Sequence, residues 1–327
     1  MWVIGALAPV AFYFIGDNSQ RDFDLLWAAA RLALSGSAPA IYGDVTQILP
    51  EGLGWGEGAV FPYPPHALFL FIPFALLPQF PAFLAWDLAT AALFLWAARP
   101  YLPQGVPPIL AVLTPASLIC LDFGQTGLLM GALWLLAFRG KWPAVALLTF
   151  KPHLGILGIL SIRSVPTLLK VAFLALALVA ASALIFGPGL WLDFPGQVFG
   201  HGARVGAMDR WFFAGVAPAM TYGLIGWVPF ALAGALLLAR NVNVFTASTA
   251  SFLISPFGFH YDMTVASLGF GLLAASRWHE LPIRHRIPVA LGFLSPVIAI
   301  AGSWLVPPLL LWALWTQTQY DIPPPRA

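Results

Sequence analysis

Between Leu168 and Phe186 the chain reads LLKVAFLALALVAASALIF, and apolar runs of this kind recur along its whole length. A run of about twenty apolar residues matches the hydrocarbon thickness of a bilayer. In that medium every backbone N–H and C=O needs an internal partner, which leaves only helices and closed barrels. Barrel strands alternate apolar and polar residues over about ten positions, and these runs do not alternate. The predicted fold is therefore all-α, a polytopic transmembrane helical bundle. Composition agrees: 60% of residues are hydrophobic and 9% charged, with a mean hydropathy of +0.85, whereas soluble domains carry about 25% charged residues.

The apolar segments fall near 1–15, 65–78, 82–98, 107–121, 127–138, 142–162, 167–187, 211–239, 243–257, 263–276, 287–302 and 303–316. This spacing predicts about ten to twelve membrane segments in a single domain over 1–327. Several are shorter than the roughly 20 residues that a straight span needs, so some are expected to be tilted, broken or re-entrant. A break is expected near Gly223. The run from Met1 to Ile15 has no basic residues before it and no small-residue cleavage site after it, so it reads as a retained, shortened first span. Cys120 stands alone, which rules out an intrachain disulfide. A net charge of +2 gives no reason to expect a nucleic-acid partner.

Basic residues set the expected orientation. The densest basic loop is SRWHELPIRHR, with Arg277, Arg284 and Arg286; Arg163, Lys170 and Arg240 mark other short loops. The positive-inside rule places all of these in the cytoplasm, and His260 then lies on the outer side. In the first half, simple alternation puts Arg99, Arg139 and Lys141 outside, against the same rule. A re-entrant pair somewhere between 65 and 162 resolves the conflict.

The longest hydrophilic stretch, 16–64, holds Asp17, Asp22, Asp24, Asp44, Glu51 and Glu57 against Arg21 and Arg31. It reads as a first extracytoplasmic loop with short interfacial helices, and 188–210 reads as a second. Within the first, a helix is expected from Leu25 to Ser35, closed by Gly36. Asp22 has two readings. It fits an N-cap, with Asp24 at the positive end of the helix. It also fits a general base, because an acid at the membrane face beside apolar walls has a raised pKa.

Other polar groups interrupt the apolar segments. FPYPPHALFLFIPFALLP opens with Tyr63, Pro64 and Pro65, and its prolines mark a helix start. LDFGQTGLLMGALW carries Gln125, a hydrogen-bonding group for a polar ligand or a broken helix end. LLTFKPHLGIL embeds Lys151 among about 21 otherwise apolar residues. A lysine at mid-span costs about 2.5–3.5 kcal/mol on insertion scales, so Lys151 is expected to face a cavity and pair with an anion. LISPFGFHYDMTVASL places His260, Tyr261 and Asp262 between two spans, either as a capping turn or as part of a site. No metal signature, phosphate-binding glycine loop or G-x-S-x-G motif is present, which argues against an ATP-driven pump or a serine hydrolase.

Taken in order, DFDLLWAAARLALSGSAPAIY, FPYPPHALFLFIPFALLP, GQTGLLMGALWLLA, LLTFKPHLGIL and SPFGFHYDM resemble the membrane-embedded GT-C glycosyltransferases, most closely glycosyltransferase family 87. The resemblance spans residues 22 to 263. It implies a GT-C bundle in a bacterial plasma membrane, with its active site on the extracytoplasmic face. The implied reaction is inverting transfer of a hexose or pentose, mannose favoured, from a polyprenyl-phosphate sugar to a glycan or glycolipid acceptor. Asp22 matches the acid that serves as base in the family, and Asp24 is the second choice. Lys151 and His260 are the expected partners of the lipid phosphate. Gln125, Asp262, Tyr63, Arg204 and Arg210 complete the expected substrate contacts, and no metal or cofactor is required. The rival class is a transporter or lipid flippase with Lys151, His260 and the loop acids along its substrate path; no inverted repeat supports it.

Overall fold

The computed structural model of the chain describes residues 21–43, 45–49, 61–197, 215–320 and 322. The described residues are helical, apart from turns and one isolated antiparallel bridge between Gly215 and Phe259. Thirteen helices are used below: α1 (Asp22–Leu34), α2 (Leu68–Ala75), α3 (Gln79–Ala98), α4 (Pro115–Phe123), α5 (Gly127–Phe138), α6 (Trp142–Leu147), α7 (Pro152–Gly155), α8 (Val165–Phe186), α9 (Pro218–Leu238), α10 (Val244–Ile254), α11 (Thr264–Arg277), α12 (Ile283–Gly302) and α13 (Val306–Gln317).

Four stretches are long and apolar enough to cross a membrane: Gln79–Tyr101, Val165–Phe186, Pro218–Leu238 and Ile283–Gln317. Shorter apolar helices occupy Pro65–Ala75, Gly127–Phe138, Pro152–Ser161 and Val244–Ile254. The result is the expected helical membrane bundle. The predicted break in the 211–239 segment is present, since Gly223 has φ 70° and ψ 177° inside α9. The segment at 1–15 lies outside the described residues.

Burial sorts the helices into two shells. Nearly every residue of α5 and α10 is buried, as is α11 from Thr264 to Leu273, as expected of helix faces enclosed by other helices. The long helices α8 and α9 instead expose large apolar side chains, Leu184 at 87% and Ile225 at 92%. These two helices are short of protein contact, and lipid suits their outer faces. The central helix α5 packs along α3 and against α11, so the polar segments at its N-terminal end meet at the core of the bundle.

The 142–162 segment departs from the expectation of a lysine at mid-span. It is not one straight helix but a succession of short turns: α6, a 3-10 turn at Leu148–Phe150, α7 and a 3-10 helix at Ile156–Ser161. Lys151 sits at the break, with φ −136° and ψ 71°. The chain then folds back. A Cβ on Gly155 would lie 2.3 Å from the Leu148 carbonyl oxygen, and one on Gly158 would lie 2.3 Å from Leu148 Cδ1. Residues ten apart in a continuous helix are about 15 Å distant along the axis, so such contacts require reversal. Lys151 is thus the break point of a segment built from short helical turns rather than one straight helix.

Helix α1 lies across the end of α2. Its buried face carries Phe23, Leu26 and Trp27. Trp27 Nε1 donates to the Leu77 carbonyl at 3.1 Å, and Arg31 Nη1 donates to the Ala75 carbonyl at 3.3 Å. Each bond satisfies a carbonyl at the C-terminal end of α2, where no intrahelical donor remains. Phe23 anchors the other end among Phe83 and Trp86, at ring separations of 5.9 and 6.1 Å.

Candidate active site

The expected capping role of Asp22 is not observed. The N-cap of α1 is Arg21, in extended conformation, and Asp22 is the first helical residue. The helix start is held by Asp24 instead. Its carboxylate accepts the Arg21 backbone N–H at 3.1 Å, and its other oxygen accepts from the Gln79 side chain. Asp24 is 1% exposed and both its oxygens are engaged. Two positions on a helix are about 200° apart, so Asp22 points away from these partners.

Asp22 reaches α4 and α5 across the core. Gln125 Nε2 donates to Asp22 Oδ2 at 2.8 Å. Gln125 is held at its other end as well, since its Oε1 accepts from Tyr63 Oη at 2.8 Å and from the Thr126 N–H at 2.9 Å. Tyr63 Oη also lies 3.0 Å from Thr126 Oγ1, and the Tyr63 carbonyl accepts from Tyr42 Oη at 2.8 Å. Both ends of the amide are engaged by the protein, so its orientation is fixed. Asp22 Oδ1 has no partner among the described residues.

The turn carrying Gln125 is shaped by two glycines. Gly124 ends α4 in the left-handed region, at φ 61° and ψ 34°, and a Cβ there would lie 2.6 Å from Phe23 Cβ. Only glycine takes that conformation and that contact together without strain. Gly127 opens α5, where a Cβ would lie 2.0 Å from the Tyr261 carbonyl oxygen. The GQTG turn thus lies against α1 on one side and the His260–Asp262 turn on the other. Thr264 Oγ1 closes the second contact by donating to the Gly127 carbonyl at 2.9 Å.

The anion expected beside Lys151 is a carboxylate of the protein. Lys151 Nζ donates to both oxygens of Asp262, at 2.7 and 2.9 Å. The ammonium also lies over the rings of Tyr63 and Tyr261, 5.5 and 5.3 Å from their centroids. Such a site satisfies a buried cation twice, by ion pairing and by the aromatic quadrupoles. Asp262 does not cap the next helix: the residue before α11 is Met263, and Asp262 accepts the Phe259 N–H at 3.4 Å. His260 is buried beside Phe123, with ring centroids 6.0 Å apart, edge to face.

Asp22, Gln125, Tyr63, Lys151 and Asp262 therefore form one continuous cluster, in which the Tyr63 ring joins the acid to the ion pair. The Asp22 carboxyl lies outside the four long spans, and burial raises its pKa from 3.8 to about 6; the Gln125 N–H and the Lys151 charge pull the other way. Arg204 and Arg210 lie outside the described residues, as do Trp55, Trp211 and Phe212. His66 lies apart from this cluster: it bonds Thr149 Oγ1 at 3.1 Å and stacks on Trp191.

Arg21 was not singled out in the sequence. Its guanidinium lies over Phe83, 4.7 Å from the ring centroid, and it interacts at longer range with Asp87 and Asp122. Among the described residues it makes no ion pair within 4 Å. Its adjacency to Asp22 was the available signal. Among the described residues no group of three His, Cys, Asp or Glu side chains is placed to hold a metal ion.

The class of a protein with this helical membrane bundle and acid–amide–tyrosine–lysine cluster, a membrane glycosyltransferase, comes from comparison with known families. The profile of glycosyltransferase family 87 matches residues 61–280, and the chain belongs to that family. The matched span contains Tyr63, Gln125, Lys151, His260 and Asp262; Asp22 precedes it. Neither the curated proteins nor the solved structures returned a match.

Proposed function

We propose that this glycosyltransferase moves a hexose or pentose, mannose favoured, from a polyprenyl-phosphate sugar to a hydroxyl of a glycan or glycolipid, with inversion, on the extracytoplasmic face of a bacterial plasma membrane. The observation that carries the reading is the state of Asp22. One carboxylate oxygen is fixed by Gln125 and the other has no partner among the described residues. A pKa of about 6 suits a base that works near neutral pH.

In this reading the acceptor oxygen bonds to the sugar C1 as Asp22 Oδ1 takes its proton. The bond from C1 to the phosphate oxygen breaks with its electron pair, and polyprenyl phosphate leaves as an anion. Such a leaving group needs hydrogen-bond donors rather than an acid. Lys151 already gives two N–H groups to Asp262, so its role is to fix the His260–Asp262 turn and to supply positive charge at short range. Arg21, which makes no ion pair among the described residues, is the added candidate for direct contact with phosphate, beside His260, Arg204 and Arg210. Gln125 and Tyr63 act as positioning residues, because their polar atoms are committed to Asp22 and to each other.

The test supplies purified protein with a labelled polyprenyl-phosphate sugar and a hydroxyl acceptor in detergent. Release of polyprenyl phosphate together with labelled acceptor supports the reading. Unchanged donor in the presence of acceptor contradicts it.

A further inference from the structure

The outer surface carries a second feature that the transfer chemistry does not use. A cavity of about 410 Å³ lies where the Ala38–Tyr42 turn of the first outer loop meets the helical stretch 189–197 of the second. Small-ligand sites span about 300–1,000 Å³, so its size suits a small molecule or one unit of a longer one. Pro39, Tyr42 and Gly43 form one wall, and Asp193, Gly196 and Gln197 the other. Asp193 and Gln197 stand four apart on one helix and so share a face.

The chemistry of the lining selects the ligand. Among the described residues no lysine or arginine lines the cavity, and the Asp193 carboxylate is exposed and makes no ion pair. A carboxylate with no cation among these described neighbours disfavours phosphate. It suits a neutral molecule rich in hydroxyl donors, because a carboxylate has two oxygens and about four acceptor sites for them. Gln197 adds an amide, fixed by donation from Nε2 to the Tyr42 carbonyl at 2.5 Å. The Tyr42 ring, packed beside Phe61 and Phe194, makes the floor rigid.

The cavity is also tied to the base. Tyr42 Oη donates to the Tyr63 carbonyl, Tyr63 Oη donates to Gln125, and Gln125 donates to Asp22, each at 2.8 Å. A ligand seated against Tyr42 therefore rests on the scaffold that orients Asp22. We infer that this cavity is a subsite for a neutral sugar of the acceptor glycan, held by Asp193 and Gln197, distinct from the place of the anionic donor. The inference rests on the glycosyl-transfer reading for its word acceptor, but its binding chemistry is testable alone.

The experiment uses the full chain in detergent with methyl α-mannobioside, a neutral disaccharide, and inorganic phosphate as the anionic comparison. Saturable binding of the disaccharide is expected, weakened at least tenfold by Asp193→Ala, partly retained by Asp193→Asn and unaffected by phosphate. A thermal scan of both variants checks that they fold; Asp193 is exposed, so no loss is expected. In the transfer assay Asp193→Ala should raise the acceptor KM about tenfold and leave the donor KM and kcat within twofold. Absence of saturable binding, equal binding by Asp193→Ala, or competition by phosphate overturns the subsite. If the disaccharide binds through Asp193 but no sugar is transferred, the catalytic reading fails and the subsite stands. If transfer proceeds and Asp193→Ala leaves the acceptor KM unchanged, the reverse holds.

Discussion

Gln125 donates from Nε2 to Asp22 Oδ2 at 2.8 Å, joining residues 103 positions apart. The bond favours the charged form of the acid, because an N–H donor stabilises carboxylate more than carboxyl. Removing it in Gln125→Leu should therefore raise the Asp22 pKa further. In the wild type, kcat/KM should fall about tenfold per pH unit below about 6. Gln125→Leu should move that limb upward, and a residue with a merely structural role would lower the rate without moving it. The check is a pH–rate profile of both proteins with saturating donor.

Asp22 itself should be held at a cost to the fold. Its folded-state pKa, about 6, is raised above 3.8. Below the lower value the carboxyl is neutral in folded and unfolded chains alike. As pH rises through the interval the unfolded chain releases its proton first, so the stabilisation is lost as ionisation is forced on the folded state. Asp22→Asn removes that cost while keeping an acceptor for Gln125. It should come closest to wild type in stability at about pH 3.5, below both pKa values, and be more stable at pH 7, by an amount on the order of 1–3 kcal/mol. Thermal unfolding in detergent at the two pH values reads this directly.

The Lys151–Asp262 pair is buried, with contacts at 2.7 and 2.9 Å. Deleting one partner strands the other, which costs about 3–5 kcal/mol, whereas replacing both by apolar groups costs much less. Lys151→Met and Asp262→Leu should each lower the melting temperature strongly, and the double variant should recover most of the loss. Unfolding of all four proteins closes the cycle; additive single effects would contradict a direct pair.

The GQTG turn admits no larger residue at its ends. Gly127→Ala drives a methyl into the Tyr261 carbonyl, 2.0 Å away, and Gly124→Ala presses on Phe23 at 2.6 Å. The first should impair folding, measured as loss of monodisperse protein on size exclusion. The second, which moves the helix that carries Asp22, should lower kcat about tenfold or more with a smaller effect on donor KM, since misplacement of a reacting group by about 1 Å costs about 100-fold.

Much of this arrangement was legible in the residues. The apolar runs specified a helical bundle because a bilayer admits few alternatives, and Lys151 announced itself as a charge too costly to leave unpaired at mid-span. The GQTG, Lys151 and HYD elements could be named as polar interruptions because each breaks an apolar run. What the sequence did not settle was geometry at the scale of one turn. Asp22 and Asp24 are interchangeable in composition and differ only in which side of α1 each occupies, a matter of where the helix begins. The cap fell to Arg21, one residue earlier than the acid pattern suggests. The 142–162 segment has the hydropathy of a span, and its break into short turns rests on the contacts of Gly155 and Gly158 with Leu148, which no periodicity reports. The place of Arg21 depends on cation–π contact with Phe83, a partner distant in the chain that no local pattern reveals.

The central claim is that Asp22 accepts the proton of the acceptor hydroxyl. It is tested most directly by the single-turnover rate of Asp22→Asn with a polyprenyl-phosphate sugar and acceptor, at pH 7.5, in protein shown to be folded. Loss of a general base predicts a rate about 10²–10⁴-fold below wild type with donor binding retained. A rate equal to wild type contradicts the claim.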